Sequence, residues 1–193
     1  MMTTCVINSV TYSIMNNKNL AFVDIETTGF DVEKQEIIEI GCVIVKQQDG
    51  KLGEVIEEFE LKIKPERLEH ADPEALSING YNESDWLFAS DLKQAMQVFS
   101  DKTKECVFVA HNAAFDWSFL AKAFATTGIE NKMFYAKIDT ISFAFAKLHK
   151  DPTVTRYALG ALCDRFGITN DRAHTALADT RATREVYKKL LEL

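Results

Sequence analysis

The stretch LAFVDIETTGF, residues 20–30, puts two carboxylates, Asp24 and Glu26, inside a run that otherwise reads as a buried strand. The run is apolar, short and rich in strand-forming residues, and Gly29 marks the turn after it. Side chains of a strand alternate between faces, so Asp24 and Glu26, two apart, project from the same side of a sheet. Bare charge is expensive to bury, so this pair must be solvated, protonated or bound to a cation. Taken alone, the pair fits an exposed strand end as well as it fits a metal site.

The neighbouring sequence places that strand in a sheet. EIIEIGCVIVK (36–46) is a second apolar strand and EEFELKIK (57–64), which alternates apolar and polar residues, a third. The three form a meander. Asp72-Pro73 opens a helix that Gly80 closes, and a second helix is expected from near Ser84 through DWLFASDLKQAMQVF. CVFVAH (106–111) is again a strand, followed by a helix over 113–127 that stops at Gly128. MFYAKIDT (133–140) is a short strand, and SFAFAKLHK, ALGALCDRF and TALADTRATREVYKKLLEL are helical. A meander followed by alternating strands and helices predicts an α/β fold with a mixed sheet flanked by helices. One domain over 19–193 is expected, preceded by an extension, 1–18, that reads as a flexible tail or an added edge strand.

Composition narrows the function. The chain has 193 residues and a formal charge of −7, against the excess of Lys and Arg with which proteins coat nucleic acid by bulk electrostatics. Acids that hold divalent cations would nevertheless meet phosphates with far less negative charge than this count implies. Cys5, Cys42, Cys106 and Cys163 form no C-x-x-C pair, which suggests reduced thiols in a cytoplasmic protein rather than a zinc site or a disulfide framework. The N-terminal residues make a poor signal peptide, and no run approaches the roughly 18 apolar residues of a membrane span, so no membrane partner is expected.

Two more acids share the pattern of the first pair. Asp116 heads a stripe of Phe119, Leu120, Ala123 and Phe124 on one helix face, and Asp179 heads Ala182, Val186 and Leu190 on the last helix. An acid in a first turn that merely complements the helix dipole usually points outward, whereas these two share the apolar face. Four carboxylates pressed towards one sheet suit hard ions, Mg2+ or Mn2+. His174 lies five residues before Asp179, where a neutral imidazole can take a proton from water.

In this order, D-x-E at Asp24 and Glu26, H-N-A-x-F-D ending at Asp116, and H-x-x-x-x-D from His174 to Asp179 resemble the DnaQ-like 3′→5′ exonucleases of the DEDDh type. ETTG, IIEIG and LGALCDRFGI add to the likeness, which spans residues 20–190. The resemblance implies a ribonuclease H-like fold and hydrolysis of terminal phosphodiesters with two divalent cations. Asp24, Glu26, Asp116 and Asp179 would hold the cations and His174 would be the general base. It implies single-stranded DNA or RNA 3′ ends as substrate, with DNA slightly favoured over a ribonuclease T-like or oligoribonuclease-like role. Thr27 and Thr28 would lie against the terminal nucleotide, and Phe30, Tyr81, Trp86, Phe115 and Trp117 would offer stacking surfaces. His111 and Asn112 read as scaffolding, and His70 and His149 as surface residues. Asn79 would also lie at the substrate, near the nucleotide pocket; Asn79-Gly80 stands where proofreading members usually carry His-Gly, and is closer to ribonuclease T. The resemblance leaves room for a polymerase partner, but no tail for one follows the last helix, so a stand-alone enzyme or a module docking through its folded surface is expected. A catalytically silent binding module would be expected to lack one of the five residues, and none is missing.

Overall fold

The computed structural model describes residues 15–170 and 173–193. The expected meander is formed by β1 (Leu20–Thr27), β2 (Ile37–Gln48) and β3 (Lys51–Lys62), all antiparallel. β4 (Val107–Ala110) and β5 (Lys137–Asp139) add parallel on the other side of β1, giving the order β3-β2-β1-β4-β5. The helices are α1 (Pro73–Ile78), α2 (Leu92–Lys102), α3 (Ala113–Thr127), α4 (Thr140–Leu148), α5 (Leu159–Phe166) and α6 (Ala176–Leu191).

Because β1 is central, both of its faces are covered. Ala21, Val23 and Ile25 pack with Met96 and Phe99 of α2 and Phe119 and Leu120 of α3. Leu20 and Phe22 face the opposite layer, with Val43, Val107, Val109 and Tyr187 of α6. Beyond α6 a further cluster joins Ala182, Val186 and Leu190 to Leu148 of α4 and Leu162 of α5. The result is a mixed sheet between two helical layers, as the strand and helix order implies.

Three boundaries depart from the sequence reading. β3 begins at Lys51 rather than at residue 57, because Asp49 (φ 51°) and Gly50 (φ 73°) close a tight hairpin that extends both strands. No helix starts near Ser84. Instead Asn82 accepts hydrogen bonds from the Asp85 N–H and the Ser84 hydroxyl, and Trp86 is buried with its indole N–H on the Ile38 carbonyl at 2.9 Å. Helix α2 starts only after Asp91, whose carboxylate accepts the Gln94 N–H at 2.8 Å. The strand expected over 133–140 narrows to Lys137–Asp139, the residues that pair with β4.

The reading of residues 1–18 falls largely on 1–14, outside the described residues. Residues 15–18 lie across the β2–β3 hairpin: the Gln47 amide donates to the Met15 and Lys18 carbonyls, and Asn17 accepts the Asp49 N–H. Cys42, Cys106 and Cys163 are free and buried, and Cys5 lies outside the described residues. Among the described residues no helix is long and apolar enough to cross a membrane.

Candidate active site

Pairing between β1 and β4 runs only from Leu20↔Val107 to Phe22↔Val109, so the later backbone of β1 lacks a neighbour on that side. An unpaired buried N–H is costly. Asp116, in the first turn of α3, meets this need: its Oδ1 accepts the Ile25 N–H at 3.2 Å, and the residue is only 2% exposed. Asp139, at the end of β5, sets the start of that helix. Its Oδ1 accepts the Asn112 and Ala113 N–H groups, both at 3.1 Å, and its Oδ2 accepts the Ser142 N–H in α4 at 2.9 Å. Asn112 turns through a left-handed conformation (φ 72°), and His111 Nδ1 lies 2.8 Å from the Thr140 hydroxyl. Both residues hold the strand-to-helix turn.

Helix α6 arrives from the other face. Gly41 sits opposite Asp24 in the β1–β2 register, and a Cβ there would stand 2.3 Å from the Ala176 backbone. Only glycine lets the helix start lie so close to the strand. Two residues earlier, Glu39 sits opposite Glu26 and accepts the Ala176 N–H at 2.8 Å. With its first turn seated on β2, α6 brings Asp179 over the strand pair. Carboxylate oxygens of Asp24, Glu26 and Asp179 lie within 4.8 Å of one another. Asp116 stands outside this triplet, tied to the β1 backbone.

Asp179 is held by the Asn170 amide at 2.5 Å and by the His174 N–H at 3.0 Å. His174 itself is exposed and takes a left-handed conformation (φ 68°). Its backbone is therefore anchored to an acid of the cluster, while its ring stands at the surface.

The electrostatics follow from the crowding. Burial, then the charges of Asp116, Glu26, Asp179 and Glu39, push Asp24 well above the usual carboxylate range. Burial and Asp179 raise Glu26 to about 7. Burial outweighs the backbone hydrogen bonds at Asp116 and, with Glu26 and Asp139, raises it to about 7. Burial and the hydrogen-bonded Glu60 take Glu39 to about 8. Oxygen donors that repel one another in this way are what a divalent cation relieves, so the residues fit Mg2+ or Mn2+.

The residues expected against substrate fall into two groups. Thr27 and Thr28 spend their hydroxyls on the loop: Thr27 donates to the Gly29 carbonyl at 2.6 Å and Thr28 accepts the Glu36 N–H at 2.9 Å. Asn79 donates to the Thr27 carbonyl at 3.0 Å and accepts the Tyr81 N–H at 3.2 Å, so its amide fixes the end of β1. Trp86 is buried against Tyr81, and Trp117 packs on Phe108 beneath the Lys137 ammonium. Phe30, in contrast, is 78% exposed, with its ring 6.0 Å from that of Phe115. Glu39, Gly41, Asp139 and Asn170 went unassigned in the sequence. Glu39 and Gly41 left a trace, as members of the IIEIG stretch, and Glu39 also as an acid among apolar strand residues.

Residues 21–187 match the RNase_T family model, described as an exonuclease. A PolC-type DNA polymerase III of Thermotoga petrophila is 30% identical over 190 residues, covering 97% of this chain but 13% of that protein. Ribonuclease T of Shewanella sp. strain ANA-3 is 29% identical over 179 residues, covering 86% of this chain and 78% of that one. The solved E. coli exonuclease I with a dT13 oligonucleotide superposes with a TM-score of 0.72 at 16% identity, over 90% of this chain and 40% of that one. A 3′-exonuclease that recognises the histone mRNA stem-loop gives 0.71 at 16% identity, over 91% of this chain and 82% of that one. At such identities the likeness speaks for the fold, which is ribonuclease H-like. A match that runs from β1 into α6, through each element that carries an acid of the cluster, makes this chain a member of the RNase_T exonuclease family.

Proposed function

We propose that the chain is a metal-dependent 3′→5′ exonuclease that hydrolyses the terminal phosphodiester of single-stranded nucleic acid and releases nucleoside 5′-monophosphates, with DNA slightly favoured. The observation that carries this reading is the meeting of Asp24, Glu26 and Asp179 oxygens within 4.8 Å, in a chain of an exonuclease family. With Asp116 these acids would hold two divalent cations, Mg2+ or Mn2+. Bound cations of this kind supply Lewis acidity at the scissile phosphate and make water a competent nucleophile near neutral pH.

The chain's own groups do the rest. His174 accepts the proton of the attacking water as general base, from a surface position tethered to Asp179 through its own N–H. Thr27, Thr28 and Asn79 hold the end of β1 rigid, so that its backbone presents a fixed wall to the terminal nucleotide. The exposed Phe30 ring, backed by Phe115, stacks on a base.

DNA is favoured because the PolC-type relative aligns with 97% of this chain and the oligonucleotide in exonuclease I is dT13. Ribonuclease T relatives and the Asn79-Gly80 pair support RNA trimming as the second reading. The test is hydrolysis of matched 5′-labelled DNA and RNA single strands, with and without Mg2+ or Mn2+. A ladder shortening from the unlabelled end, only with metal and faster on DNA, is expected. Shortening from the labelled end, or equal rates with chelator, would refute the mechanism, and faster cleavage of RNA would transfer the assignment to the second reading.

A further inference from the structure

Strand β2 is buried without interruption from Ile37 to Val45, yet Glu39 lies within it at 2% exposure. A buried carboxyl group at the centre of a sheet needs a partner. Beside Glu60 of β3, it has the Ala176 N–H as partner, at 2.8 Å, across 137 residues of chain. That N–H belongs to the first residue of α6 and has no acceptor within its own helix. Gly41, on the same face two residues further along, removes the Cβ that would collide with the Ala176 carbonyl. Glu39 therefore attracts the helix start to the place that Gly41 leaves clear.

Asp179 follows Ala176 by three residues, less than one helical turn, and donates its own N–H to the Thr175 carbonyl at 3.0 Å. Any shift of Ala176 is passed directly to Asp179. Glu39 itself stays outside the carboxylate triplet of Asp24, Glu26 and Asp179, and one of its oxygens is already engaged. We infer that Glu39 is a positioning residue: through its hydrogen bond to the Ala176 N–H it fixes the height and rotation of the first turn of α6, and with them the placement of Asp179 against Asp24 and Glu26. The inference rests on the nuclease reading for its kinetic consequence alone.

The test compares the wild-type chain with Glu39→Ala and Glu39→Gln, since glutamine keeps an acceptor oxygen and alanine does not. Three quantities are measured: Mn2+ affinity by calorimetry, steady-state kinetics on a single strand, and amide hydrogen exchange along α6. Outer groups that orient ligands typically contribute about 10–100-fold, so Glu39→Ala should lower Mn2+ affinity and kcat by about that factor. KM should stay within about twofold, because the substrate wall is untouched. Exchange should quicken at residues 176–179 while the middle of the helix stays protected. Glu39→Gln should track the wild type in all three. Wild-type Mn2+ affinity in Glu39→Ala would overturn the inference, and so would equal damage in both variants, which would make some other feature of the carboxyl group, rather than an acceptor oxygen, the active one. A wild-type chain that binds Mn2+ but cleaves nothing would sink the nuclease reading alone, because affinity and exchange still rank the variants.

Discussion

Replacing Gly41 by alanine should separate the acids without touching any of them. The added Cβ would stand 2.3 Å from the Ala176 backbone carbon and 2.4 Å from its oxygen, whereas ordinary contact begins at 3.4 Å. The obstacle is backbone on both sides, so relief requires α6 to retreat by about 1 Å or β2 to bend. Over-packing of this kind costs about 1–3 kcal/mol. Retreat carries Asp179 away from Asp24 and Glu26, and a 1 Å misplacement of reacting groups can cost about 100-fold in rate. Gly41→Ala should therefore remain folded, melt several degrees lower, bind Mn2+ more weakly and cleave a labelled single strand about a hundredfold more slowly under single-turnover conditions. Melting and Mn2+ titration of the same preparation separate misplacement from unfolding. A folded Gly41→Ala protein with wild-type cleavage would refute the claim that the seat of α6 on β2 builds the site.

Three further outcomes are expected. His174→Ala should reduce kcat by about 100-fold while Mn2+ affinity is unchanged, since the ring accepts a proton and the Asp179 anchor is a backbone N–H; equal loss of affinity would make the histidine a ligand instead. Without metal, stability should fall as pH rises from about 4.5 to about 7, because Glu26 and Asp116, both raised to about 7 by burial, hold protons that the unfolded chain has already released. Chelator-treated protein should thus melt higher at about pH 5.5 than at about pH 8, with the gap narrowed by Mn2+, and a melting point that climbs across this window would contradict the sign. Asp139→Ala removes the cap of two helix starts at about 1 kcal/mol each, so thermal melts should show a loss of about 2 kcal/mol, or about 6 °C.

How much of this could be read from the residues depends on the range of the forces involved. Asp24 and Glu26 declare a shared face through strand periodicity, and Asp116 and Asp179 declare theirs through helical stripes. Of the four, Asp24, Glu26 and Asp179 meet, while Asp116 is spent on the β1 backbone, a long-range contact that no stripe encodes. The starts of β3 and α2 were not legible. Asp49-Gly50 is a hairpin signal that the weak alternation of KLGEVI obscured. Ser84 and Asp91 are equally good caps in isolation, and burial of Trp86 against β2 decides between them. Glu39 and Gly41 stood in the IIEIG stretch, but their role was not legible, because their partner, Ala176, lies far along the chain and no local pattern encodes a contact of that range. Asn79 was expected at substrate, yet its amide is occupied by the backbone it steadies.

The shortness of β4 has a consequence of its own. After the Phe22↔Val109 pair the ladder stops, and a single side chain, Asp116, serves the bared edge of the central strand. The place of Asp116 is thus set by where the β1–β4 ladder ends, not by its own helix alone. An insertion that continued β4 by two residues would give Ile25 a backbone partner and displace the aspartate, even with every acid still in the sequence.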